Sequence, residues 1–143
     1  MRATDTMTRE VTVVLPEFPL RAAWNLMRRD RIRHLPIARD GILLGMLSDR
    51  DVLLRARRRE DGSVEVPEEP VGLAMHEPPV TCEEDASLAQ IVRAMTEHKI
   101  DAIAVVADDN RLVGLVTSTD LLLLLLDGVP PTRLPFDFSL NAI

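Results

Sequence analysis

Cysteine, aromatic side chains and long apolar runs are all scarce in this sequence. Its 143 residues include one cysteine, one tryptophan, three phenylalanines and no tyrosine. A single thiol, Cys82, excludes an intramolecular disulfide framework, and its apolar surroundings read as a buried small hydrophobe. Aromatics at 3% and a net charge of −6 argue against nucleic acid, which needs basic surface and stacking rings. The longest apolar block, Leu121 to Leu126, is far short of the ~18 residues of a membrane-spanning helix. No basic-then-apolar segment opens the chain, so the expectation is a soluble, cytoplasmic protein without a membrane partner. Catalytic signatures are missing too. His34, His76 and His98 have no metal-ligand spacing with one another or with Cys82, and no nucleophile motif or Walker phosphate loop occurs. The reading is not an enzyme, with no metal site.

An apolar fraction of 46% supports a substantial core, and 28% charged residues is ordinary. The charge is unevenly spread. Residues 1–59 hold 13 basic and 7 acidic residues, and residues 60–143 hold 4 and 16, so the net values are +6 and −12. Differently solvated surfaces, complementarity between halves or subunits, and an anion site in the first half all fit.

The chain writes one pattern twice. Gly45-Met46-Leu47-Ser48-Asp49-Arg50-Asp51 answers to Gly114-Leu115-Val116-Thr117-Ser118-Thr119-Asp120. Met7-Thr8 answers to Met75-His76, and Arg31-Ile32-Arg33-His34-Leu35-Pro36-Ile37 to Lys99-Ile100-Asp101-Ala102-Ile103-Ala104-Val105, both 68 positions on. Self-similarity of this kind fixes architecture before any local propensity does. Two copies suffice for one globule but not for a solenoid.

Residues 3–8 form a lead-in of about one helical turn. Val11 to Leu15 reads as a short strand closed by Pro16. From Leu20 the apolar positions follow one helical face to about Arg31, with Trp24 and Met27 in the core. His34 to Arg39 is a strand carrying Pro36, hence an edge or an irregular strand. Asp40-Gly41 is a hairpin turn, Ile42 to Leu47 the next strand, and Ser48 opens a helix to about Arg59. The arginines at its end suit a helix C-terminus. The second copy repeats this order: strand Pro79–Cys82, helix Ala86–His98 capped by Asp85 or Ser87, strand Ala102–Ala107, turn 108–111, strand Leu112–Thr117, helix Thr117–Asp127. The expected division is a first repeat over 1–59, a polar linker over 60–70, a second repeat over 71–127 and a tail over 128–143. Six consecutive leucines make the last helix apolar all round, which calls for burial against the other repeat and another subunit. In the tail, Leu134, Phe136, Phe138 and Leu140 alternate as in an extended docking arm; disorder is the competing reading.

Ser48 with Asp51, and Thr117 with Asp120, have capping-box spacing. The same geometry suits a ligand. A helix N-terminus offers free amide donors, a first-turn carboxylate can accept from both ribose hydroxyls, and the preceding glycine permits close backbone approach.

Taken together, Met7-Thr8, Arg33-His34-Leu35-Pro36-Ile37 and the two Gly-x-x-Ser/Thr-x-x-Asp stretches resemble a tandem pair of cystathionine-beta-synthase (CBS) domains, the Bateman module. The resemblance spans residues 7–127. It implies an α/β (α+β) fold of two β-α-β-β-α repeats about a pseudo-twofold axis, associating into a homodimer. It carries ribose contact onto Asp51 and Asp120 and hydroxyl contacts onto Ser48 and Thr117. Adenine would lie by Val13, Val14 and Ile32 in one copy, or Thr81, Cys82 and Ile100 in the other. Arg33 and His34 would meet phosphate, whereas Asp101 would repel it, so the two clefts should be unequal. The implied function is a regulatory module that takes AMP, ADP or ATP and signals through its dimer shape to an effector protein. The alternative is a structural dimer or adaptor whose clefts bind nothing.

Overall fold

The computed structural model describes residues 1–128, and the expected tail arm lies outside the described residues. A short turn of helix, α1 (Ala3–Thr6), precedes α2 (Leu20–Asp30), β1 (His34–Arg39), β2 (Ile42–Ser48) and α3 (Asp49–Arg55). A small hairpin follows, β3 (Arg57–Arg58) with β4 (Val64–Glu65). The second repeat comprises β5 (Thr81–Glu83), α4 (Leu88–His98), β6 (Ala102–Ala107), β7 (Arg111–Thr117) and α5 (Ser118–Gly128).

The five longer strands form one sheet in the order β1-β2-β7-β6-β5. Beyond β1, Val14 makes a single parallel bridge to Ile37, the counterpart of β5 beside β6. The order is therefore palindromic, as a pseudo-twofold axis between β2 and β7 requires. The expected first strand shrinks to that one bridge, in which Val14 N donates to Pro36 O and Ala38 N to Val14 O. Pro36 stays compatible with β1 because its missing N–H leaves only a carbonyl to satisfy, and a register shift follows between Ile37 and Ala38.

The hairpin tips show why the turns suit their sequence. Asp40 and Gly41 both have positive φ, at 52° and 80°, as a two-residue turn between twisted strands requires. In the second repeat Asp109 and Asn110 take that role, at 58° and 61°. Asn110 Nδ2 also donates to Leu43 O of the first repeat at 2.8 Å, so the tips are stitched together.

Each repeat has its own core. Leu20, Ala23 and Met27 of α2 pack on Leu35, Ile37 and Leu47, and Ile91 and Met95 of α4 pack with Ile103, Val105 and Val116. A third cluster of Leu43, Ala102, Ala104, Val106 and Leu115 joins residues of both repeats. Trp24 packs at the margin of the first core, with the Arg28 guanidinium 5.9 Å from its ring centroid.

The lead-ins cross over. Ala3 and Met7 belong to the second repeat's core, while Val66 and Val71 belong to the first's. Thr8 bridges Leu115, and His76 bridges Met46. This crossing gives the repeated glycines a different purpose from the one their sequence suggests. A Cβ on Gly45 would lie 2.5 Å from Met75 Sδ and 2.9 Å from His76 O; on Gly114 it would lie 2.5 Å from Met7 Sδ. They admit the other repeat's backbone, not a ligand.

Two further expectations shift. The second helix stops at Arg55, four residues short of Arg59, because Arg57 and Arg58 pair with Glu65 and Val64 in the small hairpin. Of the arginine cluster, Arg55 stays in the last turn of the helix, while Arg57 and Arg58 lie in the hairpin. On α5, Leu121 packs on the second core, but Leu122, Leu123, Leu125 and Leu126 are exposed, from 51% to 69%. Among the described residues, nothing covers that face.

Candidate functional site

The site forms where β2 hands over to α3. Ser48 ends the strand in an extended conformation, which turns its side chain onto the first helical amides. Asp51 N donates to Ser48 Oγ at 3.2 Å, and Ser48 N and Oγ donate to Asp51 Oδ2 at 2.8 and 2.9 Å. The capping box therefore exists, made by the shorter aspartate. It occupies one carboxylate oxygen of Asp51, whose residue is 5% exposed.

The other oxygen faces the second repeat. Asp51 Oδ1 lies 2.9 Å from His76 Nδ1. Sequence reasoning missed His76 as a site residue, although the matched Met7-Thr8 and Met75-His76 pairs were a signal that this position matters. Its arrival depends on the lead-in crossing between repeats, which local pattern does not reveal.

Around this carboxylate lies a cavity of about 200 Å³. The first repeat contributes Arg33, His34, Met46 and the α3 start; the second contributes His76, the Pro78–Val80 segment and Lys99–Ala102. Ser48, Asp51, Arg33, His34 and Ile100 are thus brought together. Thr81 and Cys82 are not on the cavity wall, where Val80 stands instead; they belong to β5, paired with Ala104 and Val105. Burial pushes the Cys82 thiol up to about 11, which suits an inert packing residue.

The pseudo-symmetric residues are placed elsewhere. Thr117 N and Oγ1 donate to Asp120 Oδ2 at 2.8 and 3.0 Å, repeating the cap. Val14 is buried in the first core, Ile32 packs against it, and Val13 is exposed. None of these residues lines the cavity at Asp51.

Arg33 is paired at the rim. Arg33 Nε is 3.2 Å from Asp49 Oδ2, and its Nη2 is 3.3 Å from Asp101 Oδ2. Asp101 is the counterpart of Arg33 in the second repeat, so equivalent positions of opposite charge meet near the pseudo-twofold axis. This is one place where the basic first repeat complements the acidic second. His34 sits half-buried beside them. Burial lowers its pKa, partly offset by the Asp101 and Asp49 carboxylates, so its ring is neutral at pH 7. Among the described residues, no three His, Cys, Asp or Glu side chains gather as a metal site would require.

Comparison with known proteins places this geometry in a family. The CBS domain model matches twice, over residues 3–58 and 70–127. The chain belongs to the CBS-domain family, as a tandem pair. It is 35% identical over 118 residues to the CBS domain-containing protein YhcV of Bacillus subtilis, covering 82% of this chain and 80% of that one. Hypoxic response protein 1 of Mycobacterium tuberculosis is 31% identical over 120 residues, covering 83% and 81%. The crystal structure of Hypoxic Response Protein I, which holds two coordinated zinc ions, matches with a TM-score of 0.70 at 30% identity, over 85% of this chain and 97% of that one. The structure of CBSX2 in complex with AMP shares the fold, with a TM-score of 0.76 at 24% identity over 88% and 96%.

Proposed function

We propose that this CBS pair is a regulatory binding module, not an enzyme, and that its inter-repeat cavity takes an adenosine-containing ligand. The observation that carries the reading is the convergence of a buried, cap-held carboxylate, Asp51, with apolar wall from the other repeat, Val80 and Ile100. Oδ1 of Asp51 accepts from the ribose hydroxyls after His76, itself largely exposed, swings aside. Ser48 holds the carboxylate in place, and Arg33 and His34 face the phosphate side. The AMP bound by CBSX2 supports an adenosine ligand for this fold. AMP, ADP and ATP are the probes to compare.

Because the cavity wall comes from both repeats, a ligand that binds one repeat arrangement better shifts the equilibrium toward it. The exposed leucine face of α5 fits a homodimer contact, through which the change reaches an effector protein. Thermal unfolding tests the reading. A nucleotide at ~100 times its dissociation constant should raise stability by about 2.7 kcal/mol, and Asp51→Ala should abolish that gain while the chain still folds. No shift with any adenosine compound would favour a second reading, a structural dimer or adaptor. The specific observation behind that alternative is that both oxygens of Asp51 already have partners within the chain.

A further inference from the structure

The lining of the cavity balances its charges. It carries three cations, Arg33, Arg50 and Lys99, against three carboxylates, Asp49, Asp51 and Asp101. Arg33 is the side chain best suited to hold a phosphate through two parallel hydrogen bonds. Its Nε and Nη2 instead face Asp49 and Asp101, at 3.2 and 3.3 Å. His34, neutral at pH 7 through burial, adds no fixed positive charge. The cavity is small as well. Its roughly 200 Å³ is below the about 300–1,000 Å³ of ordinary small-molecule sites.

From this balance we infer that Asp101 is a specificity-determining residue that restricts the site to adenosine compounds carrying one phosphate or none. The inference rests on the adenosine reading and narrows it. One phosphate can draw Arg33 away from Asp101. Each further phosphate adds negative charge to a lining whose three cations are equalled in number by its carboxylates, and it meets the Asp49 and Asp101 carboxylates at the rim, where they already hold Arg33. Asp101 thus acts on phosphate number and not on recognition of the nucleoside.

Isothermal titration of the full chain with adenosine, AMP and magnesium-free ATP at fixed low salt tests this. In the wild type, AMP should bind at least about tenfold tighter than ATP. Asp101→Asn should raise ATP affinity by about tenfold and change AMP affinity less. The substitution keeps the main-chain carbonyl that accepts from Ser118 N at 2.8 Å, and circular dichroism would verify folding. A second measurement needs no variant: added salt should narrow the wild-type gap between AMP and ATP, because rim charges are screened. ATP binding as tightly as AMP in the wild type, or a ratio unmoved in a folded Asp101→Asn chain, would overturn the inference while leaving the adenosine reading intact. Failure of all three compounds to bind would sink the adenosine reading itself, and this inference with it.

Discussion

Asp51 divides its two carboxylate oxygens between two parts of the molecule, one to Ser48 of its own repeat and one to His76 of the other. Gly45 is the backbone counterpart of that meeting, since only a missing Cβ lets Met75 and His76 lie against β2. Gly45→Ala should therefore cost about 1–3 kcal/mol of stability through overpacking. Urea unfolding reads this directly, and a midpoint equal to wild type would contradict the packing account. His34 supplies a pH-dependent term. Burial holds its pKa below the ordinary 6.5 in the folded chain, so between the lowered value and 6.5 the unfolded chain binds the extra proton. Its contribution is complete above pH 6.5 and is lost as pH falls toward the folded value. His34→Gln should flatten that part of the stability–pH curve, and an unchanged slope would count against burial as the cause. At this scale the sequence marked Ser48, Asp51, Arg33, His34 and Ile100 one by one as ligand-facing residues, but it put Ile100 with the other copy and left open which cleft Arg33 and His34 serve; the fold sets all five around one cavity. The sequence could not reveal His76 against Asp51, or Asp101 against Arg33, because both meetings are made by tertiary pairing of distant segments.

Elements built on periodicity were the most legible. The spacing of Leu20, Ala23 and Met27 marks the buried face of α2, and Asp40-Gly41 fixes the β1–β2 turn. Ser87, one of two cap candidates for α4, is the cap, with Gln90 completing the box. Short elements were less so. Val11 to Leu15 has strand composition but finds only Ile37 to pair with, and Arg57–Arg58 leaves the helix for a hairpin whose partner lies beyond the turn at residues 59–63. Among the described residues, the α5 leucines are a run of apolar side chains left exposed. If a second copy covers them, Leu122→Glu with Leu125→Glu should convert a dimer into a folded monomer, as sedimentation would record. Loss of the fold instead would mean these side chains stabilise the chain itself.

For the whole molecule, the crossed lead-ins matter most. Ala3 and Met7 complete the second core while Val66 and Val71 complete the first, so neither repeat is finished by its own sequence half. The duplication and its 68-residue offset were plain in the sequence, but which lead-in serves which core was not, since both are apolar and either pairing satisfies the pattern. The exchange predicts one cooperative unfolding transition, with calorimetric and van't Hoff enthalpies equal. Two resolved transitions would show that the repeats melt as separate units. The same exchange explains why the candidate cavity has walls from both repeats, and hence why a ligand there can report on how they sit together.

The most direct measurement is a crystal structure grown with AMP. The account predicts ribose hydroxyls within hydrogen-bond distance of Asp51, adenine against Val80 and Ile100, and His76 moved off the carboxylate. AMP bound instead at Thr117 and Asp120, or a cavity without nucleotide while Asp51 keeps its contact with His76, would contradict it.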